Sequence, residues 1–243
     1  MAGAFAWGVL TASSLVLGAL IALRFRISLK TIGIVMAFGA GVLISAVSFD
    51  LIEEAARTST GHGATIAGIF VGCGVFFGGD LLIDRMGGAH RKKAEGAPDS
   101  GAALGIVLGT VLDGVPESAV IGLTFHANGS LGVAYAVSVF ISNIPESLSS
   151  TAGLRAGGWA RSRIIWLWVG ISLVSGVASL LGYELFARAT PDLVAFVLAF
   201  AGGAILTMLA DTMMPEAYRY GGKLVGVVTT LGFATAFVMQ QFD

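Results

Sequence analysis

The chain has 243 residues, of which 56% are hydrophobic and only 12% charged, against about 25% charged in a soluble domain. With a mean hydropathy of +0.87 it cannot cover itself in polar surface, which excludes a water-soluble globule and indicates an all-α integral membrane protein. The formal net charge of −1 points to no particular partner, and the single cysteine, Cys73, excludes an internal disulfide.

Eight apolar segments follow one another, at about 4–23, 31–55, 64–84, 101–125, 130–154, 164–186, 193–217 and 222–241, each long enough to cross ~30 Å of hydrocarbon. They are read as one transmembrane domain covering 1–243. The first has no basic leader and is followed by Arg24, Arg26 and Lys30, so it reads as a retained span and not a signal peptide. The second closes on Asp50, Glu53 and Glu54. The third carries Gly68-Ile-Phe-Val-Gly72 and Gly74-Val-Phe-Phe-Gly78, a spacing that lets helix backbones approach closely. Between the third and fourth, 85–100 reads as an open loop. A short turn around Asn128-Gly129-Ser130 joins the fourth to the fifth, and the seventh closes on Asp211 and Pro215-Glu216.

The basic residues test this count. With the N-terminus outside, the cytoplasmic connections hold Arg24, Arg26, Lys30, Arg85, Arg91, Lys92, Lys93, Arg155, Arg161, Arg163, Arg219 and Lys223, leaving only Arg57 and Arg188 outside. The positive-inside rule therefore favours eight spans with both termini outside. Arg91-Lys92-Lys93 belongs to this pattern and to lipid contact, not to nucleic-acid binding.

The fourth and fifth spans hold related words, Asp113-Gly-Val-Pro116-Glu117-Ser118 and Ser142-Asn143-Ile-Pro145-Glu146-Ser147, 29 residues apart. Each sets a proline and a carboxylate inside an apolar run. An acid at the bilayer centre costs roughly 3 kcal/mol on insertion scales, and the proline removes a backbone hydrogen bond. Asp113 and Glu117 are one turn apart on a single helix face, as are Ser142 and Glu146. Counted from the connecting turn the two faces reach similar depth, so carboxylates, hydroxyl, amide and the carbonyls freed below Pro116 and Pro145 can converge at mid-bilayer. Such an oxygen-only set fits a divalent cation that neutralises the acids.

A weaker echo lies further out. Phe38 to Ala55 aligns without a gap on Phe200 to Ala217, sharing Phe, Gly, Glu and Ala at four positions. The two segments would run in opposite directions, as expected for an inverted repeat of spans 1–3 and 6–8 around a central pair, a 3+2+3 arrangement.

These residues resemble the ZIP (Zrt-, Irt-like) divalent metal transporters, whose fourth span typically reads His-Asn-x-Pro-Glu-Gly and whose fifth reads His-x-x-Pro-Glu. The resemblance covers nearly the whole chain. It implies eight spans, both termini outside, and a variable cytoplasmic loop after the third. It also implies primary metal positions at Asp113, Glu117, Ser142 and Glu146, with Asn143 beside a second metal. The chain departs from the family pattern where Asp113 and Ser142 replace the two histidines, Gly114 replaces the asparagine, and Ser179 ends Ser175-Gly-Val-Ala-Ser179 where the sixth span usually has glutamate. Loss of imidazole moves the donor set toward hard ions: zinc is the cargo by family, manganese, iron or magnesium by ligand type.

The expectation is therefore a plasma-membrane carrier that moves a divalent cation into the cytoplasm by alternating access, spans 1–3 and 6–8 rocking against the central pair. Metal is held at Asp113, Glu117, Asn143 and Glu146, with Ser142, Asp50, Asp211 and Glu216 as further candidates. No phosphate-cradling loop, nucleophile elbow or Cys/His zinc framework is present in the sequence, so neither an enzyme nor a prosthetic group is expected. The partners are the metal ion and the bilayer, with a homodimer as an open alternative to the monomer. A non-transporting membrane protein that senses metal or supports a partner is the rival reading.

Overall fold

The computed structural model describes residues 1–85, 100–128, 133–187 and 189–241. Most of the expected 85–100 loop and the Gly129-Ser130 turn lie outside these residues. Each of the eight predicted segments is a helix: α1 Ala2–Arg24, α2 Leu29–Thr58, α3 His62–Ile83, α4 Ser100–Asn128, α5 Val133–Ala156, α6 Arg161–Leu185, α7 Pro191–Gly221 and α8 Leu224–Gln240. Among the described residues there is no strand. Six of these helices are long and apolar enough to cross a membrane; α8 is apolar but shorter, at 17 residues. The α5 helix spans 24 residues, but its serines, Asn143 and Glu146 dilute its apolar character.

Local chemistry sets several of the boundaries. The Ser28 hydroxyl caps α2 by accepting the Thr31 N–H at 3.1 Å. Thr190 precedes Pro191, which occupies the first turn of α7, where its missing N–H costs nothing. Two connections turn on glycines in the left-handed region, Gly158 at φ 79° and Gly222 at φ 63°.

Among the described residues, α2 and α7 each change their winding partway along. α2 widens into a π-helical segment over Val47–Glu53, and α7 does the same over Leu209–Met213. Val47 and Leu209 occupy equivalent places in the sequence alignment of Phe38–Ala55 on Phe200–Ala217, so the inserted turn begins at the same point in both copies. Pro215, lacking an N–H, accounts for part of the break in α7, but α2 has no proline there. Widened turns of this kind free carbonyls and recur at functional positions.

The packing pairs helices in a pattern that maps onto itself when α1–α3 exchange with α6–α8 and α4 with α5. α3 packs on α7 as α2 packs on α8, and α4 on α6 as α1 packs on α5, while α1 and α6 pack on each other. Glycines make the matched contacts. A Cβ on Gly41 would overlap the Thr229 carbonyl, and one on Gly232 the Phe38 carbonyl, at the α2–α8 crossing. At the α3–α7 crossing, Gly203 and Gly72 stand in the same relation to the Ile69 and Phe200 carbonyls. Gly41 and Gly203 are equivalent in the sequence alignment.

This packing differs from the expected separation of a central pair from the rest. α1, α4, α5 and α6 form one four-helix group and α2, α3, α7 and α8 the other, with the two groups meeting mainly where α2 lies against α5. Within the first group, the Ser172 and Ser179 hydroxyls donate to the Ala12 and Ala4 carbonyls at 2.9 and 2.8 Å, and Trp168 Nε1 donates to Thr151 Oγ1 at 2.8 Å. Among the described residues, most of the buried apolar side chains fall into two clusters. The larger runs from Ile32 to Val225 across both groups, and the smaller lies under Trp168 between α1, α5 and α6.

Candidate metal site

The seam between the two groups holds a cavity lined by Glu117 of α4, Ser142, Glu146 and Ser149 of α5, Met36 and Leu43 of α2, and Met208, Met213 and Glu216 of α7. Three carboxylates and two hydroxyls thus face one space, and among the described residues none that lines it is basic. Glu117 and Glu216 are buried, at 3% and 9% exposure, whereas Glu146 is half-buried. Glu216 accepts a hydrogen bond from the Ser149 hydroxyl at 2.9 Å, which joins α5 to α7 across the seam.

The proline words behave as elementary geometry requires. α4 and α5 both pass through their internal prolines, Pro116 and Pro145, without ending. In α5 the hydroxyls then work locally: Ser142 donates to Val139 O at 3.0 Å, and Ser147 to Asn143 O at 3.0 Å. Ser142, Glu146 and Ser149 share the cavity-facing stripe, and Ser147 faces α1, where a Cβ on Gly18 would meet its hydroxyl.

The remaining candidates are spread out. Asp113 and Asn143 are buried, at 4% and 7% exposure, but neither lines the cavity. Asp50 sits in the widened turn of α2 and accepts a hydrogen bond from Gln240 Nε2 of α8 at 3.0 Å. Asp211 sits in the widened turn of α7 and is exposed. Ser179 is fully buried against α1 through its bond to Ala4, so this residue at the family's sixth-span glutamate position serves helix packing. Among the described residues, no three His, Cys, Asp or Glu side chains stand close enough together to hold one ion.

Sequence reasoning missed Ser149 and the three methionines. Ser149 lies seven residues beyond Ser142 and three beyond Glu146, a period that repeats the cavity-facing stripe and could have drawn attention to it. Met36, Met208 and Met213 come from helices whose apolar residues gave no sign of which ones face the seam. Their thioethers supply a soft, adaptable wall.

The fold and this cavity define a multi-pass α-helical membrane protein with carboxylates gathered between two packed helix groups. No family model matches the chain. It is, however, 30% identical over 204 residues to the zinc transporter GufA of Myxococcus xanthus, with 80% of each chain covered. It is also 28% identical over 243 residues to the zinc transporter ZIPB of Bordetella bronchiseptica, covering 93% of this chain and 75% of that one. The chain belongs to the ZIP family of metal transporters.

Proposed function

We propose that this protein carries a divalent metal cation across the plasma membrane into the cytoplasm, binding it in the cavity at the α2–α4–α5–α7 seam. The observation that carries the reading is the convergence of Glu117, Glu146 and Glu216 on one space, with no basic residue in its lining among the described residues. A carboxylate drawn out of water favours a proton or a cation beside it, because burying its charge costs several kcal/mol. A cation that enters relieves that cost, and protons displaced from the acids leave by the same route. Asp113 and Asn143, buried on the same two helices as Glu117 and Glu146 but outside the cavity lining, support the site from behind the primary carboxylates.

Movement follows from the packing. Close glycine crossings tie each four-helix group together, whereas the two groups meet around the cavity. Displacement of α1, α4, α5 and α6 against α2, α3, α7 and α8 would carry Glu117 and Glu146 relative to Glu216 and expose the site to each side in turn. Both termini then lie outside, as the distribution of Lys and Arg favours.

Zinc is the cargo named for both relatives, while the oxygen donors here also suit manganese, iron or magnesium. Uptake measured in reconstituted vesicles tests the reading. Glu117→Ala and Glu146→Ala each abolish flux of Zn²⁺ and Mn²⁺ while the protein still inserts and folds. Flux undiminished in both variants refutes the carboxylate site, and a wild-type protein that moves no cation favours the non-transporting alternative. Competition between Zn²⁺, Mn²⁺, Fe²⁺ and Mg²⁺ then ranks the substrates.

A further inference from the structure

Toward the end where Asp50 meets Gln240, the carboxylate cavity is closed by an apolar layer. Three of its helices contribute the next turn: Val47 follows the cavity residue Leu43 on α2, Val120 and Ile121 follow Glu117 on α4, and Val139 precedes Ser142 on α5. All four are at most 2% exposed. In the other direction α2 and α5 lead to a wider cleft that α1 also lines, with Ile32 one turn from Met36 and Ala152 one turn from Ser149, and with Arg26 and Arg155 also in its lining. The closed side is therefore the side of Asp50.

Tyr135 stands in this closed region and is out of character with it. It lies on α5 seven residues before Ser142, two turns along the same helix face and about 10 Å from it. The side chain is 3% exposed, and its hydroxyl is buried without a hydrogen-bond partner among the described residues. Asp50 stands at a comparable level, seven residues beyond the cavity residue Leu43 on α2, the helix that packs on α5. A buried hydroxyl left unsatisfied is a cost that a phenylalanine would avoid while filling the same space.

We infer that Tyr135 is the gate on the Asp50 side of the carboxylate cavity, its hydroxyl serving as an oxygen ligand that passes a divalent cation from Asp50 to Glu117 when the apolar layer parts. The inference rests on the transport reading above and adds a residue to its path. In the closed arrangement the ring completes the seal over Val139 and the hydroxyl waits unused. In the open arrangement it shortens the dry step between two carboxylates on different helices, α2 and α4. The residue acts on loading of the site, not on holding the ion once loaded.

Tyr135→Phe separates these roles, because it removes one oxygen and keeps the ring. In vesicles carrying the full chain, with Zn²⁺ and Mn²⁺ each supplied alone, the half-saturating concentration rises about tenfold, the worth of one hydrogen bond to a charged group. The maximal rate stays within about twofold, and the melting temperature in detergent is unchanged or raised, since an unsatisfied group has gone. An unchanged half-saturating concentration overturns the inference, and so does a loss of uptake that tracks a lowered melting temperature, which would mark the hydroxyl as structural. Tyr135→Cys on a Cys73→Ser background gives a second readout. A hydrophilic thiol reagent applied from the Asp50 side modifies it slowly, and Zn²⁺ slows the reaction further; a thiol that never reacts overturns the inference. If the wild-type vesicles accumulate neither metal, the transport reading fails and this inference falls with it, an outcome distinct from a working transporter indifferent to Tyr135.

Discussion

Glu216 shows how one side chain can serve two helix groups. Its carboxylate sits on α7 yet accepts the Ser149 hydroxyl of α5, so the bond must break or be exchanged whenever the groups move apart. Glu216→Gln keeps an acceptor for Ser149 but removes the charge. We expect the melting temperature to hold within a few degrees and metal uptake at low concentration to fall by about tenfold or more, as for loss of one charge-assisted contact. Unaltered uptake by Glu216→Gln would restrict the site to the two Pro-Glu carboxylates. Those two were legible in the sequence because proline and glutamate are both expensive in an apolar run, so their pairing in α4 and α5 stood out. Glu216 follows Pro215 in a third such pair and was a further candidate for the same reason. Ser149 was passed over, because serine is cheap in a helix and only its spacing from Ser142 and Glu146 sets it apart from its serine neighbours.

The helices owe their close crossings to glycine, and the crossings differ in how much they can tolerate. Gly41 and Gly203 each bring a backbone carbonyl of the partner helix to where a Cβ would be, whereas a Cβ on Gly74 or Gly170 would meet nothing within 4 Å. Gly41→Val and Gly203→Val should each destabilise the protein by about 3 kcal/mol or more, because backbone cannot yield as a side-chain tip can. Gly74→Ala should stabilise α3 by roughly 0.5–1 kcal/mol through helix propensity. Thermal melts of the three variants in one detergent check the order. The connection from α2 to α3 makes a different kind of contact. Asp192, exposed in the first turn of α7 ahead of its apolar run, accepts the Thr60 backbone N–H at 2.9 Å, the Thr60 hydroxyl at 2.8 Å and the Ser59 hydroxyl at 3.3 Å. The Thr60 N–H above all, then the hydroxyls, hold its carboxyl below the usual range. A depressed folded-state pKa means that the stabilisation is complete above the ordinary aspartate value of about 3.9 and disappears as pH falls through the lower folded value. Asp192→Asn should therefore melt below the wild type at pH 7, with the difference closing on acidification toward pH 3. A gap that persists in acid would show that shape, not charge, holds the connection.

The arrangement of the eight helices combines what pattern could reveal with what it could not. Hydropathy, the distribution of Lys and Arg, and the alignment of Phe38–Ala55 on Phe200–Ala217 were enough to place eight helices and to anticipate a repeat. The widened turns at Val47–Glu53 and Leu209–Met213 carry no residue signature beyond Pro215 and emerge only from the backbone. Which helices pack together was equally hidden, since every span offers small residues on several sides. Partition into α1, α4, α5, α6 and α2, α3, α7, α8 has a direct mechanical consequence. A covalent tie between the groups should arrest transport, and a tie within one group should not. Gly79 of α3 and Leu112 of α4 meet across the seam, with the glycine's Cβ position 3.7 Å from Leu112 Cγ. Gly202 of α7 and Ile52 of α2 meet within one group, with the Cβ position 3.0 Å from Ile52 Cγ1. Both pairs are close enough for a disulfide between introduced thiols. On a Cys73→Ser background, oxidation of the Gly79→Cys, Leu112→Cys pair should cut uptake by at least about tenfold, a transport barrier raised by ~1.4 kcal/mol or more, and dithiothreitol should restore it. The Gly202→Cys, Ile52→Cys pair should transport equally in both redox states. Transport that survives the first bridge would mean that the cation passes without the two groups moving on each other, through a path that opens by side-chain motion alone.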